Sequence, residues 1–116
     1  MTARPGVVSE AAFQRTVLEY ARLKGWRVAH FRAARRDSGG WSTPVQGDGA
    51  GFPDLVLVRA GVAVFAELKS ARGRLTDTQQ VWLDALRIVA ACSDSAVHVH
   101  VWRPADWPDI EEVLGA

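Results

Sequence analysis

The stretch Gly51-Phe52-Pro53-Asp54-Leu55-Val56-Leu57-Val58-Arg59-Ala60-Gly61-Val62-Ala63-Val64-Phe65-Ala66-Glu67-Leu68-Lys69 decides how this chain folds. Two apolar runs flank a two-residue turn signal, Ala60-Gly61. The pattern predicts an antiparallel hairpin with strands from Asp54 to Arg59 and from Val62 to Lys69. Such a turn pairs Arg59 roughly with Val62 and so brings Asp54 near Glu67. Glu67 and Lys69 sit two apart on one strand and project from the same face. Val64, Ala66 and Leu68 take the other face and are apolar. An acid and a base at the end of a core strand are costly to bury unless they are paired or bind something. Pro53 stands immediately before Asp54, where a strand start tolerates the missing N–H, and gives the acid a rigid presentation.

Outward from the hairpin, Glu10 to Lys24 reads as a helix, with Ser9 as N-cap and Gly25 as terminator. Phe13, Val17, Leu18, Tyr20 and Ala21 form its apolar side. Trp26 to Arg32 reads as a strand. Ala33 to Pro53 has little periodicity and five glycines; a segment of this length without elements is usually functional or mobile. Ser70 to Leu75 reads as a basic loop. Thr76 to about Ala90 reads as a second helix that buries Trp82, Leu83, Leu86, Val89 and Ala90. Val97 to Trp102 reads as a strand, with His98 and His100 on one face, and Pro104 to Ala116 as a turn with a short acidic helix. The order is helix, three strands, helix, strand. That predicts an α/β fold, a mixed sheet flanked by helices, in a single domain over residues 1–116.

The net charge of +1 conceals an asymmetry: residues 1–74 hold twelve Lys/Arg against six Asp/Glu, and residues 75–116 hold two against seven. Twelve of the fourteen cations are Arg, whose forked donors suit phosphate. The basic part suggests a polyanion partner, although a solvated Arg-rich surface gives the same composition. Cys92 is the lone cysteine, so internal disulfides and multi-cysteine zinc sites are excluded, and it reads as a small buried hydrophobe. No apolar run approaches the roughly 20 residues of a membrane span, and no signal region follows Met1. The expectation is a cytoplasmic protein of a bacterium or phage-infected cell, with no membrane partner.

Asp54 and Glu67 on neighbouring strands, with the backbone carbonyl of Leu68 beside them, offer hard oxygen ligands that suit Mg²⁺ or Mn²⁺ better than zinc. Lys69 then lies where it can orient or help deprotonate a water. Glu-x-Lys alone on a strand reads more readily as an ordinary ion pair. Glu10 shares a helical face with Gln14, Val17 and Ala21, and as a first-turn acid it also suits the helix dipole. Thr76-x-x-Gln79 is a capping box that needs no catalysis to justify it. His98 and His100 have no third ligand near them in sequence.

Pro53-Asp54, followed thirteen residues on by Glu67-Leu68-Lys69, resembles the PD-(D/E)XK nuclease signature. More narrowly, the chain resembles the virus-type replication-repair nuclease (VRR-Nuc) family. Ser9-Glu10 with Phe13-Gln14, Gly25-Trp26, Gly51 to Leu55 and Phe65 to Ser70 carry the resemblance. So do Gly73-Arg74-Leu75-Thr76 with Gln79 and Trp82-Leu83, and Val99 to Pro104. Together they span about 9–107. The resemblance implies a restriction-endonuclease-like core in which Asp54 and Glu67 bind metal, Lys69 is the catalytic lysine, Glu10 is an acid facing the metal, and Gln79 contributes to the site. Short members of the family resemble homodimeric Holliday-junction resolvases; members with added domains act on flaps. The expectation is therefore a Mg²⁺- or Mn²⁺-dependent, structure-specific DNA endonuclease acting on four-way junctions as a homodimer. A flap, nick or single-strand nuclease and a non-catalytic DNA-binding module are the alternatives. Arg32, Arg35, Arg36, Arg72 and Arg74 are expected to contact phosphates, and Trp41 to stack on a base or pack within its loop. The Ala91 to Ala96 linker and the Gly39–Gly49 loop depart from the family pattern.

Overall fold

The computed structural model describes residues 8–31, 34–35, 41–42 and 46–116, with the backbone path alone at 34–35 and 41–42. In chain order the elements are α1 (Glu10–Leu23), β1 (Arg27–His30), β2 (Ala34–Arg35), β3 (Trp41–Ser42), β4 (Leu55–Arg59), β5 (Val62–Leu68), α2 (Asp77–Ala91), β6 (Val97–Trp102) and α3 (Trp107–Gly115), with a 3-10 turn at Pro104–Asp106 before α3.

The quoted stretch folds as its pattern requires. Ala60 and Gly61 take φ of 49° and 82°, the positive values that a two-residue hairpin turn demands. Arg59 then pairs with Val62 and Leu55 with Ala66. One further step along that register sets Asp54 opposite Glu67. β1 adds antiparallel to β4, and β6 adds parallel to β5, giving a sheet in the order β1-β4-β5-β6. A parallel neighbour needs a crossover, and α2 supplies it. The result is a mixed four-stranded sheet with helices on both faces.

The side-chain period of two divides the sheet's faces. Leu55 and Leu57 of β4, Val64, Ala66 and Leu68 of β5, and Trp102 of β6 point into the main core. There they meet Phe13, Val17 and Ala21 of α1 and Ile110 and Leu114 of α3. Ser9 starts α1 by accepting the Ala12 N–H on its side-chain oxygen at 3.1 Å. On the opposite face Phe52 packs edge-on against Phe31, Phe65 and Trp82 and so ties β5 to α2.

The structure corrects several expectations. α2 fully buries only Leu83. Trp82, Leu86 and Ala90 are half-buried, and Val89 lies outside, as do Val81 and Ile88. A single helix laid on a four-stranded sheet buries a narrow stripe, and Val89 falls off it. Cys92 is exposed because it is the C-cap of α2, beyond that stripe. α3 is a core element as well as an acidic helix. Ile110 and Leu114 are fully buried, while Asp109, Glu111 and Glu112 face outward. The segment expected to lack elements contains the short β2–β3 pair, each strand too short for alternation to be read. No helix among the described residues is long and apolar enough to cross a membrane.

Candidate active site

The start of β4, the end of β5 and the first turn of α2 meet at one end of the sheet. Asp54 enters from the first of these. Its backbone carbonyl accepts the Phe31 N–H at 2.7 Å, which fixes it to the end of β1. Its side-chain Oδ2 accepts the Leu68 N–H at 2.8 Å. Pro53 is buried before it and offers no N–H to compete. Glu67 points from β5 to the same side and is only 2 % exposed. Gln79, in the first turn of α2, donates from Nε2 to Glu67 Oε1 at 3.0 Å. Lys69 Nζ stands 3.8 Å from the same oxygen, within ion-pair range but beyond a hydrogen bond.

This arrangement opposes two carboxyls with one ammonium. Burial pushes the Glu67 carboxyl up to about 8, and the neighbouring Asp54 charge adds to the rise. Burial also raises Asp54, against the lowering effects of the Leu68 N–H, His30 and Lys69. Two adjacent carboxyls that resist ionising together repel each other in their charged forms. A divalent cation relieves that repulsion and accepts hard oxygen donors, so the residues present fit Mg²⁺ or Mn²⁺.

Gln79 makes two sets of contacts, the capping box that its spacing predicts and a bond to Glu67. Its Oε1 accepts the Thr76 N–H at 2.8 Å while Thr76 Oγ1 accepts the Gln79 N–H at 3.2 Å, a complete capping box. The other end of the same amide reaches Glu67. Its position is fixed from below by Gly51, where a Cβ would lie 2.4 Å from the Thr78 carbonyl carbon and 2.6 Å from the Gln79 nitrogen. Only glycine, here at φ +84°, lets the loop before β4 approach the N-terminus of α2 so closely. Trp82 Nε1 closes the same contact by donating to Asp48 O at 2.8 Å.

Not every expected residue joins the site. Glu10 is exposed at the first position of α1, and among the described residues no group of three acidic, histidine or cysteine side chains forms that would hold a metal. The expected acidic cluster is thus a pair in this structure: Glu10 follows the N-cap directly, ahead of the inward positions Phe13 and Val17. For Leu68, the contact seen at the pair is made by its N–H, with the carbonyl beside Glu67 on the same strand. Arg72 and Arg74 are exposed on the loop between β5 and α2. Arg32 and Arg36 lie outside the described residues, as do the side chains of Arg35 and Trp41. His98 and His100 stack face to face on β6, and His100 Nδ1 lies 3.8 Å from Asp109 Oδ2 of α3, away from the pair. His30 reads in the sequence as a structural residue; in the fold its charged form favours ionised Asp54. The signal was its place on β1 opposite Leu55, legible only once the strand pairing is known.

A mixed four-stranded sheet flanked by helices, with Asp54, Glu67 and Lys69 gathered at one end, is compatible with the core of the PD-(D/E)XK nucleases. A match to the VRR-NUC domain covers residues 27–98, well over half of the chain, and the chain belongs to that family of nucleases. The matched stretch holds Asp54, Glu67, Lys69 and Gln79; Glu10 falls outside it. No curated protein matches the chain.

Proposed function

We propose that this nuclease domain hydrolyses phosphodiester bonds in DNA with Mg²⁺ or Mn²⁺, and that it acts on four-way junctions as a homodimer. The observation that supports metal dependence is the pair of half-buried Asp54 and buried Glu67, whose carboxyls are both held above the usual range. A pair serving only a structural ion pair has no reason to outnumber its lysine. When bound, the cation supplies Lewis-acid polarisation of the phosphate and a lowered pKa for a coordinated water. Asp54 and Glu67 would hold it. Gln79 keeps Glu67 Oε1 oriented, and the Leu68 N–H does the same for Asp54 Oδ2. Lys69 stands ready to hold or move a proton at the attacking water. Arg72 and Arg74 flank the site in sequence and are exposed for phosphate contacts, in which Arg32, Arg35 and Arg36 would share. Trp41 would stack on an unpaired base.

The junction preference and the dimer rest on one argument. One chain carries one set of Asp54, Glu67 and Lys69, whereas a junction is resolved by paired cuts, and a twofold axis supplies the second set. A cleavage panel of four-way junction, flap, nicked and linear duplex substrates tests the proposal, with Mg²⁺, with Mn²⁺ and with chelator. The expected result is metal-dependent cutting that favours the junction. Preference for flaps or nicks would replace the resolvase reading, and chelator-resistant cutting would overturn the metal.

A further inference from the structure

Lys69 has a well-held backbone and a long, flexible stem. Its N–H donates to Trp102 O at 3.0 Å, extending the β5–β6 ladder by one residue. Beyond Cα lie four rotatable bonds, and at 3.8 Å the Glu67 contact is too long to fix them. Yet the residue is only 9 % exposed. Its cover comes from the turn that follows. Gly73 N–H donates to Ser70 O at 3.3 Å, folding the chain back on itself. A Cβ on Gly73 would lie 3.4 Å from Lys69 Cδ and 3.0 Å from Ser70 Oγ, so the turn rests directly on the lysine stem.

Arg103, one residue past the end of β6, fastens this turn. Its Nη1 donates to Ser70 O and to Gly73 O, each at 2.7 Å. Both bonds are short and charge-assisted. The Arg103 backbone is itself anchored, since its N–H donates to Asp106 Oδ2 at 2.8 Å. We propose that Arg103 is a positioning residue: by clamping Ser70 and Gly73 it holds the 70–73 turn over Lys69 and fixes where the ammonium points. The consequence for turnover rests on the nuclease reading of Lys69; the clamp itself does not.

Two measurements separate these. In metal-free protein, brief acetylation followed by peptide mass spectrometry reads the chain's two lysines, Lys24 and Lys69, separately. Lys24 is exposed and Lys69 covered. Arg103→Met should raise the Lys69 labelling rate by about tenfold or more, in line with the uncovering of a buried group. Arg103→Lys, whose ammonium can donate to both carbonyls, adds a third amine open to acetylation and is therefore read in the cleavage assay alone. In cleavage assays Arg103→Met should lower kcat by about 10- to 100-fold with KM within about threefold, as expected for a misplaced catalytic group. Arg103→Lys should recover most of this. Arg59→Met is the control. It removes bonds to Lys24 O, Leu114 O and Ala116 O at the far end of β4, and should lower the melting temperature while sparing kcat.

Unchanged Lys69 labelling in Arg103→Met overturns the clamp. A kcat loss matched by Arg59→Met at equal loss of melting temperature reduces Arg103 to a stabilising residue, and a rise in KM alone makes it a DNA contact; either overturns positioning. If Arg103→Met does not fold, Gly73→Ala keeps both carbonyls and crowds the lysine stem. It should lower kcat without raising KM, and wild-type kcat there overturns the proposal. Absence of cleavage by the wild-type protein would sink the nuclease reading and leave the labelling result to decide the clamp.

Discussion

Glu67 is held where ionisation is opposed by burial and by Asp54, and this sets a sign for the pH dependence of stability. The group's ordinary value is 4.5 and its folded value about 8. A carboxyl raised in the folded state contributes most when protonated in both states, below about 4.5, and its contribution is lost as pH rises through about 8. The metal-free protein should therefore melt at progressively lower temperature across that window. Mg²⁺ or Mn²⁺ should raise the melting temperature most at its alkaline end, and Glu67→Gln should flatten the profile. A metal-free profile that rises across the window would contradict the assigned environment. Asp54→Asn, Glu67→Gln and Lys69→Ala should each lower cleavage by about 10²-fold or more while junction binding survives. Wild-type rates in any of the three would remove that residue from the site. Gln79 separates its two roles by substitution. Gln79→Glu keeps an acceptor for the Thr76 N–H but sets a third carboxyl against Glu67, so its stability should fall more steeply with pH than that of wild type. At this scale Asp54, Glu67 and Lys69 were legible in the sequence, because a hairpin register places them, whereas the spacing from Thr76 placed Gln79 at a helix start without showing that it reaches Glu67. His30 and Arg103 were not, because each reaches the site through pairing between segments distant along the chain, and the Leu68 N–H was not, because alternation along β5 places side chains and does not say where an N–H finds its acceptor.

Among the elements, α2 braces the site through Gln79, and the loop at Gly51 governs how it sits. A side chain at Gly51 would require a strained φ and would meet the Thr78 and Gln79 backbone below 3.0 Å. Gly51→Ala should cost at least about 1–3 kcal/mol from the backbone conformation alone. Chemical denaturation measures that loss. Because the displaced segment carries Gln79, cleavage should fall in parallel, and an Ala variant with wild-type stability would show that the loop and helix are free to separate. The two long helices and the hairpin were readable from periodicity, capping and turn residues. α3 was read as a helix but not as part of the core, since its inward pair, Ile110 and Leu114, is outnumbered by acids that dominate the composition of the tail. α2 misled in the other direction: its apolar positions run around more of the helix than the sheet can cover.

For the whole molecule, the charge asymmetry of the sequence gives a measurable expectation. If Arg72 and Arg74 each neutralise a phosphate, replacing both with Ala should reduce the salt slope of log K on duplex DNA by about 0.9 per contact. An unchanged slope would route DNA elsewhere. Light scattering should give twice the 12.7 kDa chain mass if the homodimer proposal holds, and a monomer both free and on a junction would turn attention to flaps or nicks. The same molecule has an order of assembly written into its contacts. Asp54 and Glu67 are joined across a turn of two residues, the shortest loop in the sheet, whereas Trp26 Nε1 waits for Leu114 O, 88 residues away. Closing a short loop costs less chain entropy than closing a long one, so the hairpin is suited to the folding nucleus and α3 to the last docking step. In stopped-flow refolding, Leu57→Ala on β4 should slow folding, while Leu114→Ala should chiefly speed unfolding. The pair of acids would then exist on a nascent hairpin before the helix that supports them arrives, and divalent ions in the refolding buffer should accelerate the first phase and leave the last untouched.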